Sequence, residues 1–434
     1  RPAIGRRPHT RLCTRQEPRD QESSSNLKPL EQPGTVRFIL SVEVSASLPK
    51  TVPQLLLDAG FDLVRTNSVQ RAKGVMRAIV FDGMVLVLRD AKSDLAATGI
   101  DRVCLAYLKH FGPSAQAVVH HPRFRRILDR KTSRKLFQVL ATPRTNVRAG
   151  LVRNILRSAT RRRQTSEGRL YLNVGHTGLN DPGFAAWVRD TDIRPLYFVH
   201  DLIPITHPEY CRLGEQAKHV ERMRTVLKTG TGVIGNSQAT LNELRDFGRS
   251  EGLPTLPEVA AWLGTEASPT GGTAAPPARP TFVILGTIEA RKNHILLLQI
   301  WRRLVSRVGP KAPKLLIVGQ RGWESEEVFA LLDRGDNFGD AVVELGDCTD
   351  ADLARHLAGA RALLFPSLAE GYGLPLVEAL RAGTPVIASD LPVFREIGGD
   401  IPDYLDPLDT KAWERTILGY AEADSPARAA QLKR

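Results

Sequence analysis

Hydrophobic and polar positions fall into two series of short apolar runs separated by longer segments with helical spacing. The first series is RAIVFDGMVLVL, QAVVH, RLYLNV, RPLYFV and TGVIG, over residues 77–235. The second is TFVILG, KLLIVG, AVVELG, RALLFP and TPVIAS, over residues 281–389. Strands that alternate with helices predict parallel sheets with crossover helices, hence an α/β fold of two tandem doubly wound domains. Between the series lies TEASPTGGTAAPPARP, residues 265–280, a linker by its Pro, Gly, Ala and Thr content.

The remainder of the chain is less regular. Residues 1–34 are rich in Arg, Pro, Ser and Gln without periodicity and read as a disordered extension. Residues 35–76 carry one apolar run, TVRFILSVEV, and an amphipathic piece, VPQLLLDAGFDLV, which predict an appended strand and helix. The organisation expected is an appendage over 35–76, a first α/β domain over 77–264, a second α/β domain over 281–410, and a C-terminal helical segment over 411–434. Because the chain begins with Arg1 and not Met, a fragment or a processed product is expected, and the native chain could continue past Arg434.

A length of 434 residues exceeds one hydrophobic core, and 42% hydrophobic with 25% charged residues marks a globular chain. Its net charge of +13 invites nucleic acid, an anionic membrane or phosphorylated ligands as partners. Residues 1–270 hold 41 basic and 25 acidic side chains, whereas residues 271–434 hold 19 and 22. The basicity therefore belongs to the first part, in the cluster Arg123, Arg125, Arg126, Arg130, Lys131, Arg134 and Lys135 and the run Arg161–Arg163. A solvated helix face accounts for such clusters as well as a functional surface does. Aromatic residues, 6% of the chain, do not interleave with them, and no nucleic-acid-binding motif spacing is present, so nucleic acid is not expected. Four scattered cysteines, Cys13, Cys104, Cys211 and Cys348, form no metal-ligand spacing and suit a reducing compartment. No run of 18 apolar residues and no apolar signal core occurs.

In open α/β sheets ligands sit beyond the carboxyl ends of strands. After TFVILG, Gly286 is followed by TIEARKNH, in which Arg291 and Lys292 are expected to open a helix and form a diphosphate site. After KLLIVG, Gly319 and Gly322 allow a loop to approach a ligand, and Asp350 further on is expected to cap a helix. After RALLFP comes SLAEGYGLPLVEAL. Here Gly371, Tyr372, Gly373 and Leu374 would offer backbone N–H groups to a phosphate or sugar. Carboxylates beside an anion site make sense as acceptors for sugar hydroxyls, with Glu370 on the transferred sugar and Glu378 on the ribose, or the reverse.

The stretch EGYGLPLVE resembles the E-x7-E motif of retaining family 4 glycosyltransferases of the GT-B fold. In order, GTIEARKNH, VGQRGW, FPSLAEGYGLPLVEAL and GTPVIASD look like a whole donor-binding domain over 281–400. The segment YFVHDLIPITHPEY is similar to one in bacterial mannosyl- and rhamnosyltransferases that build surface polysaccharides. TGIDRV, residues 98–103, looks like the family's glycine loop after the first strand, with Gly99 in place and Asp101 where a second glycine is usual.

The resemblance implies that the domain over 77–264 is acceptor-binding and the domain over 281–410 donor-binding, with the last helix crossing back to the first domain. It also implies a metal-independent, retaining hexosyltransferase that needs no cofactor. Its donor would be a nucleotide diphosphate sugar, GDP-mannose first, then GDP-rhamnose and UDP-hexoses. Its acceptor would be a saccharide linked to polyprenyl diphosphate, at an anionic membrane surface on the cytoplasmic side. Site residues carried over are His200, Asp201, Glu370, Arg291 and Lys292 as catalytic, with Asn173, His176 and Asn236 on the acceptor side. The string Asp190-Thr191-Asp192 spells a D-x-D metal motif but precedes a strand where that motif should follow one. An epimerase, a phosphorylase, or an inactive binding subunit are the competing readings. A phosphorylase using pyridoxal phosphate would need a Schiff-base lysine that the sequence does not single out.

Overall fold

The computed structural model describes residues 79–82, 98–121, 124–142, 169–264, 277–334 and 338–434. The readings made for residues 1–34 and 35–76, for Arg123 and Arg161–Arg163, and for 265–276 of the linker lie outside the described residues.

Seven strands form the first sheet: β1 Ile79–Asp82, β2 Gln116–His121, β3 Phe124–Ile127, β4 Arg169–Asn173, β5 Ile193–Val199, β6 Gly232–Gly235 and β7 Glu258–Ala260. They run in the order β3-β2-β1-β4-β5-β6-β7, parallel except for the β2–β3 hairpin. Six strands form the second sheet, all parallel: β8 Thr281–Leu285, β9 Lys314–Val318, β10 Val342–Leu345, β11 Ala362–Phe365, β12 Val386–Ser389 and β13 Asp403–Leu405. Their order is β10-β9-β8-β11-β12-β13. In both sheets the strand order reverses beside the first strand, between β1 and β4 and between β8 and β11, which creates the crevice where such sheets bind ligands.

Each sheet is covered on both faces. Phe81, Leu108, Phe137, Leu172 and Phe198 pack one face of the first, and Tyr171, Phe184, Tyr197, Val199 and Met223 the other. Strands buried on both sides need continuous apolar runs, and this is why the runs were readable.

Several local expectations are corrected. TGIDRV is not a loop: Thr98 caps the helix Gly99–Phe111, and Asp101 returns the bond to the Thr98 backbone at 2.7 Å, forming a capping box that leaves Asp101 buried. Thr349, not Asp350, caps the helix Asp350–Gly359, its hydroxyl accepting from the Asp352 N–H. The C-terminal segment does not cross back. Its helix Thr410–Ala421 buries Trp413, Ile417 and Tyr420 against the second sheet, at about 1.5–3 kcal/mol for each large apolar side chain. Gln431 then bonds both the N–H and the carbonyl of Val386 in β12.

The basic cluster divides. Arg125 pairs with Asp181 and lies over the Phe184 ring, so it is structural. Arg130, Lys131, Arg134 and Lys135 are exposed along one side of the helix Arg130–Ala141, while its Ser133, Leu136, Phe137 and Leu140 are buried. Among the described residues, no helix is long and apolar enough to cross a membrane.

Candidate active site

Two loops flank the switch point of the second sheet. After β8 the chain passes Gly286 at φ +138°, makes a 3₁₀ turn over Ala290–Lys292 and turns through left-handed Asn293 into the helix His294–Val308. Arg291 and Lys292 therefore precede the helix and are not in its first turn. A Cβ on Gly319 would lie 2.0 Å from the Gly286 carbonyl oxygen, so a glycine is required where the β9 loop rests on the β8 loop.

The other loop, after β11, delivers Glu370 to these cations. Arg291 Nη1 approaches Glu370 Oε2 at 2.8 Å, and the Lys292 ammonium binds Oε1, which also accepts from the Ser367 hydroxyl at 2.9 Å. The second face of the Arg291 guanidinium meets buried Glu289 at 2.6 Å. Arg291 also donates to the Ala369 carbonyl at 3.1 Å, and the Lys292 ammonium stands 5.1 Å from the centre of the Phe365 ring.

Burial alone would raise the Glu370 carboxyl, but the two cations outweigh it and hold it at about 2. Burial pulls Lys292 below the ordinary lysine range, with Glu370 opposing that shift. Both oxygens of Glu370 are engaged by these cations, where the sequence assigned them to sugar hydroxyls.

The glycine motif is where the two sheets meet. The Gly371 carbonyl accepts from the Ser237 hydroxyl at 3.1 Å and the Thr240 hydroxyl at 3.2 Å, both in the first domain. Buried Tyr372 donates its hydroxyl to the Leu263 carbonyl at 2.8 Å, so it ties domains together where a donor contact was expected. Gly373, at φ +101°, precedes the helix Leu374–Arg381, and a Cβ there would strike the Phe394 ring. Gly99 lies against Leu374 across the boundary, and Glu378 accepts from Arg102 at 2.6 Å. Glu396 receives the Gln238 and Ala239 N–H groups at 2.7 and 3.0 Å, capping the helix Gln238–Ser250 from the other domain, and also the Trp262 indole at 2.8 Å.

On the first sheet, His200 follows β5 as expected, but it is buried and its Nε2–H donates to the Val174 carbonyl at 2.7 Å. Burial keeps it below the usual histidine range and thus neutral near pH 7. His176, in the left-handed region at φ +57°, donates from Nε2 to the Phe198 carbonyl at 2.8 Å, and its ring lies 5.4 Å from that of His200. Burial lowers it strongly too.

The two asparagines are braces. Asn173 is buried among Asp82, the Tyr171 hydroxyl and the Thr177 carbonyl, and Asn236 donates to the His200 carbonyl at 2.7 Å. Asp201 is half-buried and accepts from the Ile203 N–H at 3.2 Å. Burial opposes the charge on Arg291, but Glu370 and Glu289, with a smaller part from Asp201 across the boundary, hold it above the ordinary arginine range. Asp190–Asp192 stands at the turn before β5, the opposite end of that strand from His200.

Sequence reasoning missed Glu289, Arg102, Glu396 and Glu243. Glu289 was findable as an acid in the same loop as its partner. Arg102 and Glu396 act across the domain boundary, which no local pattern reports, and Glu243 meets Asp201 and Leu202, earlier in the chain, only through the fold of the first domain.

Residues 272–401 match the family described as Glycosyl transferases group 1. The serotype-specific mannosyltransferase WbdA of Escherichia coli is 32% identical over 257 residues, 53% of this chain and 30% of the relative. The O-antigen chain mannosyltransferase B of Escherichia coli is 38% identical over 141 residues, 32% of this chain and 36% of the relative. The chain thus spans about a third of the length of these curated relatives. HepE of Anabaena, solved in complex with UDP, superposes with a TM-score of 0.54 at 16% identity, covering 82% of this chain and 93% of HepE. The second sheet and its switch-point cluster therefore belong to a group 1 glycosyltransferase domain, and the chain has the two-sheet GT-B fold.

Proposed function

We propose that the protein is a retaining hexosyltransferase that moves mannose from a nucleotide diphosphate sugar onto a growing surface polysaccharide. The observation that carries this reading is the buried meeting of Arg291, Lys292 and Glu370 at the switch point, facing Asp201 of the other sheet. As the bond between the sugar C1 and the diphosphate oxygen breaks, negative charge grows on the departing diphosphate. Arg291 and Lys292 stabilise that charge in a water-poor site, where preorganised cations act strongly. The acceptor hydroxyl attacks C1 from the same face and its proton passes to the departing phosphate oxygen. Neutral His200, with Asn236 behind it, sets the floor on which the sugar rests, and Asp201 takes a sugar hydroxyl.

Mannose as the sugar is supported by the mannosyltransferase relatives, and we propose GDP-mannose as the donor. We propose that protein cations at this site, Arg291 and Lys292 among them, serve the leaving group without a metal or any cofactor, which transfer in the presence of EDTA tests. For the acceptor we propose a saccharide on polyprenyl diphosphate, reached at the inner face of a bacterial cell membrane. The exposed row Arg130, Lys131, Arg134 and Lys135 supports that placement, bordering a cavity of about 400 Å³ lined by Arg130, Arg134 and Pro113–Ala115. Each such cation near an anionic bilayer contributes about 1 kcal/mol.

The decisive experiment is a thermal-shift panel of GDP, UDP, ADP and their sugar conjugates in EDTA, with Glu378→Ala alongside. Saturation at a hundredfold excess over Kd stabilises by about 2.7 kcal/mol. Selective stabilisation by a guanosine nucleotide, lost in Glu378→Ala, is expected. Indifference to every nucleotide would replace the enzyme reading with that of an inactive binding subunit.

A further inference from the structure

The four charged groups of the switch-point cluster cancel, since Arg291 and Lys292 face Glu289 and Glu370. A diphosphate entering this neutral cluster needs a further cation to balance its charge. Arg102 is placed to be that cation. It lies in the first turn of the helix Gly99–Phe111, one residue beyond the capping-box Asp101 and on the helix whose Gly99 touches Leu374. Its guanidinium crosses the domain boundary to Glu378 at 2.6 Å.

The two partners are unequally held. The Arg102 side chain is 48% exposed and that of Glu378 13%. With its cation this exposed to solvent the pair is weakly held, so a ligand that offers Glu378 a better partner separates it at little cost. Ribose hydroxyls are such a partner, because they donate to a carboxylate that is already confined. Once displaced, the guanidinium swings from a helix turn whose Gly99 lies against the Leu374 side chain, and phosphate oxygens bound near Leu374 accept it in bidentate geometry.

We propose that Arg102 is a donor-binding residue that occupies Glu378 in the empty site and passes to the donor's diphosphate when the ribose takes that carboxylate. This rests on the donor-site reading above and adds a residue from the opposite domain, so that occupancy of the nucleotide site is registered across the domain boundary.

Calorimetric titration of the full chain with guanosine, GMP and GDP, and with uridine, UMP and UDP, tests it on the wild type, Arg102→Ala and Arg102→Lys. Thermal unfolding of each variant confirms the fold. Loss of a charge-assisted bond to phosphate predicts that the preference for diphosphate over nucleoside falls about tenfold or more in Arg102→Ala. Nucleoside alone binds that variant at least as tightly as the wild type, because Glu378 is no longer occupied, and Arg102→Lys recovers part of the preference. An unchanged preference, or equal loss for nucleoside and diphosphate, removes Arg102 from the donor site and leaves the donor-site reading standing. A wild type that binds none of these ligands overturns both.

Discussion

Gly371 of the second sheet's domain lies against His200 of the first so closely that a Cβ on it would fall 2.2 Å from the His200 carbonyl oxygen and 2.8 Å from the Asp201 Cβ. The sequence marks this glycine as a phosphate contact, and the structure makes it the bearing point between the two halves of the site.

Gly371→Ala should therefore damage both fold and activity. Backbone presses on backbone there and no flexible side chain can yield, so about 1–3 kcal/mol of stability is lost, as for other overpacked positions. Urea unfolding and mannosyl transfer measure the two effects. Full stability with full activity would show that the domains do not close on this contact.

Arg291→Ala and Lys292→Ala should each raise the transfer barrier by about 2–4 kcal/mol, the range for removing one preorganised charge. Glu370→Gln acts differently, because it strands two buried cations, and about 3–5 kcal/mol of stability goes with it. Steady-state kinetics beside chemical unfolding separates them. Variants at Arg291 and Lys292 that keep wild-type kcat/KM would sink the assignment.

Glu243 carries a pH dependence of the opposite sign to most carboxylates. Burial first, then the charge of Asp201, pushes it up to about 7, while the Leu202 N–H opposes the shift. The folded state thus holds a proton that the unfolded chain releases at the ordinary value of 4.5. Its contribution is complete below that value and is lost as pH rises to about 7. Glu243→Gln should be more stable than wild type at pH 8, by about 1 kcal/mol after allowing for solvent access, and no more stable at low pH. Equal unfolding midpoints at pH 8 would contradict the shift.

Glu396→Ala removes the carboxylate that caps the helix Gln238–Ser250 from the opposite domain. Loss of a cap costs about 0.5–2 kcal/mol. Glu396→Gln, which keeps an acceptor oxygen, should lose less, and Trp262 fluorescence should report the change because the indole binds the same carboxylate. A stable Glu396→Ala with unchanged emission would remove this joint.

The fold was legible wherever a strand is buried on both faces, as in RPLYFV or TFVILG. The strands that were missed are short and carry charge: Phe124-Arg125-Arg126-Ile127, the run from Glu258, and the run from Asp403. Their hydrogen-bonding neighbours decide their conformation, and those neighbours lie far along the chain. Within the site, Arg291 and Lys292 were legible because cations at a strand's end are conspicuous. Their neutralisation was not, because Glu370 is 78 positions away. The bracing bonds of Asn173 and Asn236 were not legible for a related reason. A polar residue after a strand has the same signature whether it faces a ligand or holds up the loop, and only burial separates the cases.

Glu289, Arg291, Lys292 and Glu370 all come from the two loops that flank one switch point in a single sheet. That compactness has an evolutionary consequence. On the proposed reading, a gene that exchanged everything before the linker would keep these four charged groups together while acquiring a new first domain. By the same reading, recombination at residues 265–280 would exchange the acceptor surface together with Arg102, His200 and Asp201, so chimeric chains joined there should keep the leaving-group cluster of their C-terminal parent while their tightness for the donor varies with the incoming domain.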